Sequence, residues 1–283
     1  MSRQPDMILT PLASGCSHPL PDGEWRCHSL FSQAINLQHE DGTLLTLLRG
    51  GTSLPPMGWL LRCQEYDYLR SILSPGTVLT LFAGGLHWRA LRLRAPRRHV
   101  TPSLPTHPLQ PLAAFLSAYP QKTGLCGSLS AAVHRADAPQ QHLFRLLDNG
   151  FADAETLIGL GPGLTPSMDD MLVGALAVLY CAAPVRELPR KIKQFPPART
   201  LQQLTTTVSA CYLLHASQGR FSTTLIHLLR HLAVGAHSTR THHAIRHLLA
   251  HGHTSGADTL LGVHVAQQCL VTHVSRGHCN DGP

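Results

Sequence analysis

Two stretches of this chain share one spelling. Ser167-Met168-Asp169-Asp170-Met171-Leu172-Val173-Gly174 and Ser255-Gly256-Ala257-Asp258-Thr259-Leu260-Leu261-Gly262 both read Ser-x-x-Asp-x-Leu-x-Gly. A hydroxyl and a carboxylate one helical turn apart can cap a helix. They can also accept hydrogen bonds from a ligand, while the free N–H groups of the helix start attract an anion. The first stretch follows a loop running from Gly159 to Pro166, in which Gly161 and Gly163 let a ligand approach the main chain and Thr165 adds a hydroxyl. Thr254 precedes the second stretch. A third polar loop, Ser217 to Thr224, carries Arg220, a planar fork for carboxylate or phosphate, and Ser222, an N-cap residue.

These residues predict one pocket for a small anionic ligand. Its lining is Gly161, Gly163, Thr165, Ser167, Asp169, Asp170, Arg220, Ser222, Thr254, Ser255 and Asp258. The three aspartates oppose an anion, which leaves three arrangements open. They face away as caps, or they meet amide groups of the ligand, or a Mg²⁺ ion lies between them and the ligand. The plain alternative is three unrelated helix caps. Capping accounts for Ser and Asp, but not for Gly174 and Gly262, because glycine inside a helix costs roughly 1 kcal/mol against alanine. Each glycine lies one turn past its aspartate, on the same helix face. Two helices that crossed at these glycines would bring their N-termini together.

The elements that hold such loops follow from hydrophobic periodicity, and the fold class is α+β. Short apolar runs at 32–37, 44–48, 59–63, 77–82 and 86–93, separated by Gly, Pro and Asp turns, predict a small antiparallel β domain over 31–95, like a sandwich or barrel. Residues 66–73 suit a short helix within it. Residues 1–30 read as an N-terminal extension. The proline-rich stretch 96–111 reads as a linker. From 112 to 283 the period changes to that of helices, at 112–119, 128–134, 140–147, 171–183, 201–216, 223–234, 242–251 and 258–274. Basic residues and prolines make 186–197 a surface loop with one helical turn.

Hydrophobic residues at 43% and charged residues at 14% describe a globular chain. The net charge of +7 admits an acidic partner, but the basic residues are scattered and aromatics are only 5%, which argues against a nucleic-acid surface. The eight cysteines include no Cys-x-x-Cys pair and suit reduced thiols of a cytoplasmic protein. The longest apolar run, 171–183, is too short to span a bilayer, so no membrane partner is expected.

Twenty histidines include His227/His231 and His243/His247/His251 at four-residue spacing, which can place two metal ligands on one helix face. No acidic partner stands near them, and a solvated face is the preferred reading, with no metal site. No Gly-x-Ser-x-Gly elbow is present. Cys126, within Gly124-Leu125-Cys126-Gly127-Ser128, is the one cysteine in a glycine-bearing helix start, and a packed thiol is its plain reading.

The segment Gly159-Leu160-Gly161-Pro162-Gly163-Leu164-Thr165-Pro166-Ser167, with Asp169-Asp170, resembles the signature of a bacterial family catalogued as a domain of unknown function (DUF2877). That family includes AllH, a subunit of the oxamate carbamoyltransferase of anaerobic allantoin breakdown. Gly252 to Gly256 and Arg220 to Gly235 resemble its later motifs. Ala34-Ile35-Asn36-Leu37 and Gly51 to Pro56 are similar to its N-terminal domain. The resemblance implies carbamoyl transfer between carbamoyl phosphate and oxamate or oxalurate, carried out with other subunits. A non-catalytic subunit that binds an anionic metabolite or scaffolds partners is the alternative. Met168 stands where the family usually has glycine, and a side chain there restricts the loop.

Overall fold

The computed structural model describes residues 7–182, 194–235, 238–250 and 252–278. The predicted surface loop at 186–197 lies mostly outside them. The chain divides into two compact units, Met1–Pro102 and Ser103–Pro283.

The first unit is a curled nine-stranded sheet. Its strands are β1 (Met7–Leu9), β2 (Ala13–Ser14), β3 (Gly23–Leu30), β4 (Ala34–His39), β5 (Leu44–Leu48), β6 (Gly58–Leu60), β7 (Val78–Phe82), β8 (Gly85–Trp88) and β9 (Leu91–Leu93). They lie in the order β1-β9-β8-β7-β3-β4-β5-β6-β2. Neighbours run antiparallel except β1 with β9 and β5 with β6. Helix α1 (Cys63–Ile72) buries Tyr66 and Leu69 in the core with Trp25, Ile35, Leu37, Leu45 and Leu47.

Two sequence readings change here. The stretch 1–30, read as an extension, supplies three strands, and β3 lies mid-sheet between β7 and β4. Its apolar content is low because Trp25 and Cys27, with Leu30 at the end, face the core, while Glu24, Arg26 and His28 alternate outward. The single run 86–93 is a hairpin that turns at Arg89, which has φ of 51°. The proline-rich stretch 96–111 is held at both ends: Val100 donates its N–H to Ser14 in the first unit, and Gln110 to Leu232 in the second.

The second unit is helical. Its helices are α2 (Ala113–Leu116), α3 (Leu129–Ala132), α4 (Ala138–Asn149), α5 (Ser167–Ala182), α6 (Ala198–Leu204), α7 (Thr207–Ala216), α8 (Thr223–Ala233), α9 (Ser238–Leu249) and α10 (Ser255–His278). α5 is apolar on nearly every side, as a helix at the centre of a core must be. α10 packs along it. The predicted helix 201–216 is two helices. The Thr206 hydroxyl accepts the Ser209 N–H and starts α7 afresh, while the Thr205 hydroxyl turns to Asp169.

Candidate functional site

The two Ser-x-x-Asp-x-Leu-x-Gly helices cross at their glycines. A Cβ added to Gly174 would fall 2.1 Å from the Thr259 carbonyl oxygen, and one on Gly262 would fall 1.9 Å from that of Met171. Only glycine permits this approach of backbones. The contact is reciprocal, since Met171 and Thr259 hold the same place in the two spellings. The loops ahead of both helices consequently meet, and the hydroxyls of Thr165 and Ser255 lie 2.7 Å apart across 90 residues of chain. Gly161, at φ of 110°, folds back over Ser167, where a Cβ would lie 2.8 Å from the Ser167 nitrogen. Gly124, from the loop before α3, covers the Ser167 hydroxyl so closely that any side chain there would strike it.

The serines do not cap their own helices. In the first turn of α5, Met168 donates its N–H to the Leu160 carbonyl and Asp169 and Asp170 donate theirs to Pro166, while Asp258 donates its N–H to the Thr254 carbonyl. Both hydroxyls reach across the pair instead. Ser167 lies beside Asp258, and Ser255 with Thr165 lies beside Asp170, in each case easing ionisation of the carboxyl. Buried Ser167 Oγ and Asp170 Oδ2 nonetheless meet no partner in good hydrogen-bonding geometry.

The three aspartates have separate positions. Asp169 is 1% exposed and accepts from the Gly159 N–H at 2.7 Å, Thr205 Oγ1 at 2.5 Å and Ser209 Oγ at 2.6 Å. It fastens the glycine loop to the α6–α7 junction. Burial raises its pKa, against these three donors. Asp258 is fully buried and accepts the Gly124 N–H at 3.0 Å. Burial pushes its pKa up to about 6, against the Gly124, Thr254 and Ser167 donors. Asp170 is raised well above the usual carboxylate value by burial first, and further by the charges of Asp258 and Asp169. The loop N–H groups of Gly159 and Gly124 are thus occupied by the protein's own carboxylates.

The structure brings together Gly161, Thr165, Ser167, Asp170, Thr254, Ser255 and Asp258. Gly163, exposed at φ of 101°, belongs to the same loop. It does not bring the third loop to them. Ser217, Gly219 and Phe221 pack on Tyr180, thirteen residues along α5 from Ser167. At 1.5 Å per residue that is roughly 20 Å from the α5 N-terminus. Ser222 caps α8 through the Leu225 N–H, and Arg220 meets the Gln218 side chain. The Met168 side chain is 1% exposed and packs in the core, so it takes no space from the site. Sequence reasoning missed Gly124, whose loop has no counterpart in the repeated spelling. It also missed Thr205 and Ser209, the partners of Asp169, and Tyr212, whose phenol is near enough to Asp170 to feel its charge.

Among the described residues no three His, Cys, Asp or Glu side chains gather where they could hold a metal ion. His227 and His231 hydrogen-bond each other, Nε2 to Nε2, at 2.9 Å, and His251 lies outside the described residues. The Cys126 thiol is buried and pushed up to about 11, which leaves it protonated and unreactive at neutral pH. No described helix is long and apolar enough to cross a membrane.

Comparison with known proteins finds two family models on this chain. The one described as oxamate carbamoyltransferase subunit AllH matches residues 157–267, which include both crossing helix starts. The one described as the AllH family N-terminal domain matches residues 8–98, the sheet unit. No solved structure matches the chain.

Proposed function

The chain belongs to the AllH family, and from that premise we propose that it is a subunit of a carbamoyltransferase complex. It handles carbamoyl phosphate and a small carboxylate–amide of the oxamate or oxalurate type, together with other subunits. The substrate site lies at the paired N-termini of α5 and α10, with Gly161, Gly163, Thr165, Ser167, Asp170, Thr254, Ser255 and Asp258 as its residues. One observation supports this most: two helices accept a glycine each at their crossing, and the approach this allows collects two hydroxyl–carboxyl pairs from distant parts of the chain. A fold alone does not require that cluster, since apolar side chains would seal the crossing at no desolvation cost.

A second reading has its own support. The N–H groups of Gly159 and Gly124 go to Asp169 and Asp258, and the described cluster carries no cation, so this subunit holds the substrate while a partner subunit supplies the charge for the phosphate. A carbamoyl-transfer assay on the purified chain, alone and with its partner subunits, separates the readings. Turnover by the chain alone supports an autonomous active site; turnover only in the mixture supports the shared one. Thermal shift with oxamate, oxalurate, carbamoyl phosphate and phosphate tests the site itself, because a ligand bound to folded protein raises the midpoint. Ser255→Ala is expected to remove the shift. If none of the four raises the midpoint at millimolar concentration, the site assignment is wrong.

A further inference from the structure

We propose that the Asp170–Asp258 pair recognises the –NH₂ of the substrate's amide and so makes the site select an amide over the matching dicarboxylate. This rests on the site reading just given and names what that site reads.

Each carboxyl is answered across the crossing by the serine of the other helix, Asp258 by Ser167 and Asp170 by Ser255 with Thr165. Nothing on the described residues there carries a positive charge. Two buried polar atoms lack a partner in good geometry: Asp170 Oδ2, and the hydroxyl of Ser167, 0% exposed, whose proton faces Asp258 and whose lone pairs stay open. Buried polar atoms of this kind are nearly always satisfied, and an unsatisfied one costs about 1–3 kcal/mol. With the Ser167 proton given to Asp258, a group that completes both atoms must donate. A phosphate or carboxylate oxygen brings no such proton, and it adds negative charge beside two buried carboxyls. An amide nitrogen carries two hydrogens in one plane, one for each acceptor. Half-buried Thr165 and Ser255 form the rim through which such a group would pass, next to the exposed 161–164 loop.

Selectivity built this way is strong, because the wrong ligand leaves buried acceptors unpaired. The probes are oxamate and oxalate, which differ by –NH₂ against a carboxylate oxygen. Binding to the full chain, or to the assembled complex, is followed by calorimetry and thermal shift. Oxamate is expected to bind at least tenfold more tightly than oxalate. Asp170→Asn is expected to weaken oxamate at least tenfold and to erase the preference. Oxalate binding as tightly as oxamate to the unaltered protein overturns this inference and leaves the site reading intact. Failure of both ligands overturns the inference, and it sinks the site reading as well when oxalurate, carbamoyl phosphate and phosphate also fail to bind. A midpoint rise with Mg²⁺ alone that Asp170→Asn abolishes would assign the pair to a cation, and also overturns the proposal. The comparison on unaltered protein decides the matter even if the variant does not fold.

Discussion

Gly262→Ala tests the crossing from which the site is built. The new Cβ would sit 1.9 Å from the Met171 oxygen and 2.6 Å from its carbonyl carbon. Ordinary contact begins near 3.4 Å, so the two helices must part by roughly 1–1.5 Å. Because the obstacle is backbone, no rotamer change relieves it. Overpacking of a well-filled core costs about 1–3 kcal/mol, and this site belongs at or above the upper end. Against that, alanine in a helix gains about 1 kcal/mol over glycine. The net expectation is a loss of about 2–3 kcal/mol. For a unit of this size that lowers Tm by roughly 4–12 °C. Circular dichroism at 222 nm is the suitable probe, since Trp25, Trp59 and Trp88 all belong to the other unit. Gly174→Ala should behave alike, with its Cβ 2.1 Å from the Thr259 oxygen. The double variant should lose less than the sum, because the first substitution has already separated the helices. Exposed Gln268→Ala on the same helix serves as the control. A Gly262→Ala protein that melts at or above the parent refutes the close crossing, and with it the convergence of the two loops.

Other consequences are measurable. Asp169→Ala strands three donors in a buried place and is expected to cost about 3 kcal/mol or more by urea denaturation, with Ser209→Ala costing about 1–2. Asp258 has a folded pKa of about 6 against an ordinary 3.8, so the folded state keeps its proton over a range where the unfolded chain has lost it. Its contribution to stability therefore falls as pH rises from about 4 to 6 and is flat above that. Asp258→Asn should remove this decline, as read from urea midpoints at pH 4.5, 5.5 and 7; parallel curves for the two proteins would count against it. Met168→Gly, which restores the residue usual at that position in the family, is expected to lower stability by about 3 kcal/mol or more, because it empties a core position and loosens the start of α5. Thermal melting checks this, and an unchanged Tm would put the Met168 side chain outside the core.

The crossing was legible because glycine at the same place in two helices has no local explanation and demands a close neighbour. The two-unit order followed from the change of hydrophobic period near residue 100. The parts that were not legible have physical causes. Successive helix residues point about 100° apart, so neighbouring Asp169 and Asp170 serve different partners, one the α6–α7 junction and the other α10. A sequence shows two adjacent carboxylates and not which way each faces. Arg220 carries the right chemistry for an anion, but its loop's place depends on Tyr180, at the far end of a helix whose start was the point of interest. β3 was hidden because a mid-sheet strand with one polar face needs few apolar residues.

The partnership of α5 and α10 also bears on how the protein is made. Their starts are separated by about 90 residues, so the largest helix contact of the second unit is a long-range one. During synthesis at about 5–20 residues per second, α5 waits roughly 5–20 s for its partner to emerge. Throughout that interval an almost wholly apolar helix has nothing to bury against along the α10 side. Slow translation or loss of the 255–278 segment should therefore commit the nascent chain to chaperones or to aggregation, well before any defect at the substrate site is felt.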